Sequence, residues 1–235
     1  MSKKPLKKSE LKKDIQWRTK KRNKKVLINP EYHVIICEGT KTEPNYFEGL
    51  KNEINGRFKN RIELKILPTG KGRREALSEA KRIVSKSVNH IGYVWIVYDK
   101  DDFPKDEFDN VVFMCKSINK NNDKIDDDEL KTYYNVLWSN ECIEFWFLLH
   151  FIDLKSDISR NEYIDKINEQ FKNNELKEEY KKNLDNIYEI LRTRLEYAKS
   201  RAKDIIKENK NSSPSNIKPG TTVYKIFDKL EDYLE

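Results

Sequence analysis

Four short apolar runs, each closed by turn residues or acids and each followed by a segment with helical spacing, confine this 235-residue chain to one class of fold. His33-Val-Ile-Ile-Cys37 is unbroken and stops at Glu38-Gly39, while Ile62-Glu-Leu-Lys-Ile-Leu67 alternates and stops at Pro68-Thr69-Gly70. Tyr93-Val-Trp-Ile-Val-Tyr98 ends abruptly at Asp99-Lys-Asp-Asp102, and Tyr133-Tyr-Asn-Val-Leu-Trp138 ends at Ser139-Asn140. Unbroken runs of this length read as strands buried on both faces, the habit of parallel sheets. Between them, Pro44, Tyr46, Phe47, Leu50 and Ile54 share one helical face. So do Ala76, Leu77, Ala80, Ile83 and Val84, and then Phe108, Val111, Val112, Cys115 and Ile118. Residues 141–151 form a short apolar helix after the fourth run. The order βαβαβαβα predicts an α/β fold, a mostly parallel sheet with flanking helices.

Beyond about residue 155 the chain turns strongly charged and helical. An apolar stripe through Leu184, Ile187, Ile190, Leu191, Leu195, Ala198, Ala202 and Ile205 predicts one long helix. Residues 209–220 read as a linker by composition, and residues 222–234 as a final helix faced by Val223, Ile226, Phe227 and Leu230. The organisation expected is a basic tail over residues 1–30, a sheet domain over 31–154, and a helical C-terminal appendage over 155–235 packed on the sheet.

The formal net charge of +7 conceals an uneven distribution. Residues 1–25 hold 12 Lys and Arg against Glu10 and Asp14, a balance of +10, and the remainder carries 35 basic against 38 acidic residues. The tail therefore suits sequence-independent, salt-dependent contact with phosphates, and a chain basic all over is excluded. Leu, Ile, Val and Phe number 61 of 235, about a quarter, which exceeds the level of roughly 20% typical of disorder. The longest strongly apolar run, residues 145–152, is too short to span a bilayer, and no apolar segment of a secretory signal follows the basic start. Cys37, Cys115 and Cys142 form no CxxC pair, so a disulfide frame or zinc site is not expected and a reducing cytoplasm is.

The carboxylates carry the chemistry. In an open parallel sheet, ligands bind beyond the carboxyl ends of the strands. Glu38 is the first residue past the first strand, and Asp99 and Asp101 are the first and third past the third. If those strands are neighbours, three carboxylates meet at one edge. In extended chain, residues two apart point the same way, which selects Asp101 over Asp102. Three close carboxylates cannot all stay ionised without a cation, and a hard ion with oxygen ligands, Mg²⁺ (or Mn²⁺), resolves this and suits phosphoryl chemistry. An isolated DxD is weak; its order with the earlier Glu-Gly makes it informative. A receiver domain reverses the acid count, a haloacid-dehalogenase-type phosphatase places its DxD after the first strand, and a Walker A loop is absent around residues 69–72. A nucleotide-sugar transferase is not excluded by the DxD alone.

At these residues the sequence resembles the TOPRIM fold of topoisomerases, primases and OLD-type nucleases, with a Glu after the first strand and a DxD after the third. It is similar more closely to the RloB-like family, which includes an abortive-infection protein. The matching pieces are residues 36–47 (ICEGTKTEPNYF), 98–104 (YDKDDFP), 139–151 (SNECIEFWFLLHF) and 219–224 (PGTTVY), in order and spread over nearly the whole chain. The resemblance implies that Glu38 is a catalytic acid/base or metal-facing carboxylate and that Asp99 and Asp101 are metal ligands. It also implies a metal-dependent nuclease of bacterial phage defence, acting on DNA or RNA beside an AAA/ABC-like ATPase. Where the family pattern is Ser-Asn-Pro-Cys-Phe-Glu, this chain has Ser139-Asn-Glu-Cys-Ile-Glu144, so Glu141 and Glu144 both stand as candidates for a fourth ligand.

Lesser candidates cluster around the same edge. Ser139 and Asn140 suit either a phosphate or, for Ser139, the cap of the next helix. Lys41 could meet a phosphate, and Thr42 a helix cap, on the loop that also holds Glu43. Arg73 and Arg74 sit at a helix start, against the dipole, which favours a phosphate role. Thr221 and Thr222 read most simply as the cap of the last helix, with Lys225 in reach of a substrate backbone. His150 reads as a packed polar residue on an apolar helix. The function expected is a Mg²⁺-dependent phosphodiesterase; the alternative is a non-catalytic nucleic-acid-binding or regulatory subunit that keeps the acidic edge. A homodimer is compatible with the sequence but has no signature in it.

Overall fold

The computed structural model describes residues 30–70, 72–127 and 130–234, so the basic stretch, Pro30 apart, lies outside the described residues. All four apolar runs are strands: β1 (Glu31–Cys37), β2 (Ile62–Pro68), β3 (Ile91–Asp99) and β4 (Tyr133–Asn140). They lie parallel in the order β2-β1-β3-β4, and a two-residue strand, β5 (Gly220–Thr221), closes the outer edge of β4 in antiparallel sense. Helices α1 (Thr42–Arg57), α2 (Arg73–Lys86) and α3 (Lys105–Asn122) are the crossovers that parallel strands require. After β4 come α4 (Ile143–Leu148), α5 (Arg160–Asn173), α6 (Ile187–Arg192), α7 (Leu195–Glu208) and α8 (Tyr224–Lys229).

Alternation along β3 assigns the two faces. Tyr98 faces α3: its hydroxyl donates to the Phe108 carbonyl at 2.9 Å and its ring meets Phe108 edge-on. Tyr93, of opposite parity, lies under the Lys229 ammonium of α8, 4.3 Å from its ring centroid. An aromatic core joins α1, α4, α6 and α8. Trp146 Nε1 donates to the Tyr46 hydroxyl at 2.8 Å and the indole stacks on Phe227, while Tyr46 also meets Phe147 and Tyr188. Residues 155–234 thus share the core of the sheet and supply one of its strands.

The C-terminal elements differ from the sequence reading in three places. The long helix expected through Leu184–Lys207 breaks at Thr193-Arg194. The first half is clamped to α1, where the Glu53 carboxylate accepts from Arg192 Nε at 2.9 Å and from the Tyr188 hydroxyl at 2.6 Å, and this tertiary contact overrides the continuous stripe. The final helix is cut to Tyr224–Lys229, followed by a 3-10 turn over Glu231–Tyr233. Residues 209–220 are pinned, with a 3-10 turn at Pro214–Asn216. Buried Asp109 of α3 accepts from the Ser215 N–H at 2.8 Å and from its hydroxyl at 2.7 Å. Asn140 Nδ2 donates to the Ile217 carbonyl at 2.9 Å and to the Ser215 carbonyl at 3.3 Å. Polar composition alone cannot separate a solvated linker from a segment whose polar groups meet buried partners.

Asp109→Ala leaves the Ser215 N–H buried without its acceptor and the hydroxyl with only its 3.4 Å contact to Ser213 Oγ. Urea unfolding should show a loss of about 1–3 kcal/mol, the cost of such orphaned donors. A change within experimental error would mean that this contact does not hold the C-terminal segment to α3.

Candidate functional site

The pairing of β1 with β3 brings the predicted acids to one edge. The Glu38 N–H donates to the Val97 carbonyl of β3 at 2.9 Å, so the chain leaves β1 level with the end of β3. Asp99 pairs with Ser139 of β4, the Lys100 N–H donates to the Ser139 carbonyl at 2.9 Å, and the Asp101 N–H donates to the Glu141 carbonyl at 3.1 Å. Asp101 has φ of 43°, in the left-handed region that Asp tolerates better than most residues. Asp99 and Asp101 therefore share the site through a tight turn, and the extended-chain parity assumed from the sequence does not apply. Asp102 is exposed outside the cleft.

The cleft above these strand ends has a volume of about 320 Å³. Glu38, Asp99, Asp101 and residues 39–43 line it, with Arg160 from the start of α5 and Lys182 from the segment between α5 and α6. Glu43 is the acid that sequence reasoning placed on the loop without a role. It is buried in the first turn of α1, where the helix dipole favours a carboxylate. A Cβ on Gly39 would come within 2.1 Å of Glu43 Oε2, so only glycine at 39 lets this carboxylate fold back beside Glu38. The spacing Glu38-Gly39-x-x-x-Glu43 was the available signal.

Negative charge is concentrated beyond what solvent can relieve. Burial, together with Glu144, Glu38 and Asp101, pushes Glu43 up to about 7. Burial and the neighbouring charges of Glu43, Glu144 and Asp101 likewise drive Asp99 well above the carboxylate range. Glu144 lies buried in the first turn of α4 and accepts a hydrogen bond from the Tyr180 hydroxyl at 3.1 Å. Its charge reaches Asp99 and Glu43 from behind the cleft wall. Glu141 instead turns to Lys218, 3.7 Å away, so of the two candidates it is Glu144 that stands with the acids.

One cation is seated among them. Arg160 Nη1 lies 2.5 Å from Asp101 Oδ1, with the two side chains 43% and 28% exposed. Asp101 Oδ1 itself is buried, so the pair is screened less than a surface ion pair. Among the described residues, no three His, Cys, Asp or Glu side chains stand together as a ready ion-binding group. The donor chemistry, carboxylate oxygens crowded enough to retain protons, nevertheless fits a hard divalent cation. Asp101 is held by Arg160 and Glu144 by Tyr180, so binding would require these partners to be exchanged.

The remaining candidates divide sharply. Lys41 is exposed on the cleft wall. The Thr42 hydroxyl donates to the Lys182 carbonyl at 2.8 Å, fastening the opposite wall, and does not cap its own helix. Ser139 is not the cap of α4, which begins four residues later; its hydroxyl meets Thr221 Oγ1 at 3.1 Å. Asn140, as described, is spent on the Ser215 and Ile217 carbonyls. Thr221 and Thr222 cap no helix. They tie β5 to β4, Thr221 Oγ1 meeting the Trp138 carbonyl at 3.1 Å while Thr222 Oγ1 donates to the Val136 carbonyl at 3.0 Å and accepts from the Trp138 N–H. Arg74 reaches Glu107 of α3 at 3.9 Å and lines no part of the cleft; the Arg73 side chain lies outside the described residues. Lys225 stands near Lys116 of α3, also away from the cleft. His150 is packed, bonded through Nδ1 to the Trp146 carbonyl at 3.0 Å, and burial lowers it to about 3, leaving it neutral.

A mostly parallel five-stranded sheet flanked by helices, with its acids gathered where β1 and β3 end, is consistent with a TOPRIM-like fold. Residues 33–230 match the family described as RloB-like protein, and the chain belongs to the RloB-like family. No curated protein and no solved structure matches the chain. Among the described residues no helix is long and apolar enough to cross a membrane.

The raised Glu43 fixes a pH dependence. Between its ordinary value of 4.5 and about 7, the folded metal-free protein keeps a proton that the unfolded chain releases, so this contribution to stability is lost as pH rises through that window. The buried histidines act in the opposite sense, so the measurement is a difference. Glu43→Gln should gain stability relative to wild type as pH rises from 4.5 to 7 in EDTA. A constant difference across that range would contradict the shift.

Proposed function

We propose that the protein is a Mg²⁺- or Mn²⁺-dependent phosphodiesterase acting on nucleic acid. The observation that carries this reading is the convergence of Glu38, Glu43, Asp99 and Asp101 in one cleft with Glu144 behind them, an excess of carboxylate that stays partly protonated until a cation compensates it. Asp99, Asp101 and Glu38 would hold the ion, with Glu144 as a further ligand. When bound, a divalent cation supplies Lewis acidity and charge neutralisation to phosphodiester hydrolysis. Glu38, half-exposed at the mouth, is placed to exchange a proton with an attacking water or a leaving oxygen. Lys41 and Lys182 on the walls offer cations to the flanking phosphates of a polyanion.

Membership of the RloB-like family supports setting this activity in bacterial anti-phage defence, with an AAA/ABC-like ATPase as partner. The competing reading is a non-catalytic nucleic-acid-binding or regulatory subunit, and the Arg160–Asp101 pair within the acidic edge favours it to that extent. A cleavage assay with Mg²⁺ or Mn²⁺, with and without the ATPase, separates the two.

Glu38→Gln and Asp99→Asn should each lower cleavage by roughly a hundredfold or more. Asp99→Asn should fold at least as well as wild type in EDTA, because burial and the neighbouring acids oppose ionisation of the native carboxyl. Activity unchanged in both variants would sink the metal-site proposal. Deleting residues 1–25, with their balance of +10, should weaken nucleic-acid binding and flatten its dependence on salt. If the shortened protein retains the full salt slope, the basic stretch is not the phosphate-binding arm.

A further inference from the structure

We infer that Arg160 is the cleft's internal counter-ion, displaced from Asp101 by the divalent cation and then engaging a phosphate of the nucleic acid. The inference rests on the metal-dependent reading above and deepens it. Arg160 lies at the cleft with a guanidinium nitrogen 2.5 Å from Asp101 Oδ1, and the charges of Asp99 and Glu144 also act on it.

Nothing in α5 calls for an arginine there. Arg160 is the first residue of the helix, where a positive charge opposes the dipole. The helix start is already satisfied by a capping box between Ser159 and Glu162, whose carboxylate accepts from the Ser159 N–H at 2.8 Å. The side chain is therefore free of a structural duty in its own helix. Its contact with Asp101 sets a single positive charge among the acids of the cleft, and no three acids of the described residues form a ready ion-binding group. Both side chains are partly exposed while Asp101 Oδ1 itself is buried, so a doubly charged ion held by the carboxylates would outweigh the single charge of Arg160 there. The released guanidinium has the planar fork that matches phosphate oxygens bidentately, which a lysine ammonium lacks.

The test uses the full chain as wild type, Arg160→Gln and Arg160→Lys. Mn²⁺ alone is titrated and the free ion read by electron paramagnetic resonance. Arg160→Gln should bind Mn²⁺ about fivefold more tightly than wild type, with Arg160→Lys close to wild type. In Ca²⁺, anisotropy of a labelled single-stranded oligonucleotide, in one arm DNA and in the other RNA, should show about tenfold weaker binding by Arg160→Gln and an intermediate loss in Arg160→Lys. Mn²⁺ affinity that is equal or weaker in Arg160→Gln overturns the exchange. Oligonucleotide affinity unchanged in both arms overturns the phosphate role. If none of the three proteins binds Mn²⁺, the metal-dependent reading itself fails and the exchange falls with it. Wild type that binds Mn²⁺ no less tightly than Arg160→Gln leaves that reading standing and removes only the exchange.

Discussion

The parallel hydrogen-bond register across β1, β3 and β4 is the constraint on which everything else rests. Cys37 pairs with Val97 and Asp99 with Ser139, so three strands end within a residue or two of one another. A slip of one residue would carry every side chain of a strand to the opposite face and separate Glu38 from Asp99. The register is held by burial on both faces. Ile35, Ile36 and Ile96 are fully enclosed in this register, and a shifted pairing would have to repack the core on both faces of the sheet.

The same edge stores electrostatic strain. Glu43, Asp99 and Glu144 are all buried; Glu144 raises the cost of ionising both Glu43 and Asp99, and Glu43 adds to that of Asp99. The fold answers with three modest devices: the N-terminus of α1 behind Glu43, the Tyr180 hydroxyl on Glu144, and the Arg160 guanidinium on Asp101. None equals a divalent ion in charge. On the proposed reading, the metal-free site is a compromise among weak partners, and the cation replaces that compromise with a single strong one.

Much of this was legible in the residues. Unbroken apolar runs announced the strands because parallel strands are covered on both faces. Glu38, Asp99 and Asp101 announced the edge because ligands gather where such strands end. The rest depended on contacts distant in the chain. Glu43 gains its meaning from the bare backbone of Gly39, and residues 209–220 gain theirs from Asp109 and Asn140. The idea that an arginine at a helix start marks a phosphate contact pointed to Arg73 and Arg74. Yet Arg74 pairs with Glu107, and the arginine in the cleft opens a helix sixty residues beyond the DxD. Local pattern can show that a charge is oddly placed; only the fold decides which oddly placed charge meets the acids.

The two-residue strand β5 has a consequence for the order in which the protein assembles. Ser139 and Asn140 lie on the outer edge of β4, and their partners are Thr221 and Gly220, some eighty residues later. Until that stretch has left the ribosome, β4 presents an open ladder, the kind of edge that recruits foreign strands. The strand end that carries Ser139 also accepts the Lys100 N–H and so helps to shape the turn bearing Asp101. The cleft also takes Arg160 and Lys182 into its wall, so it is completed only after the second half of the chain is made, although most of its acids are made in the first half.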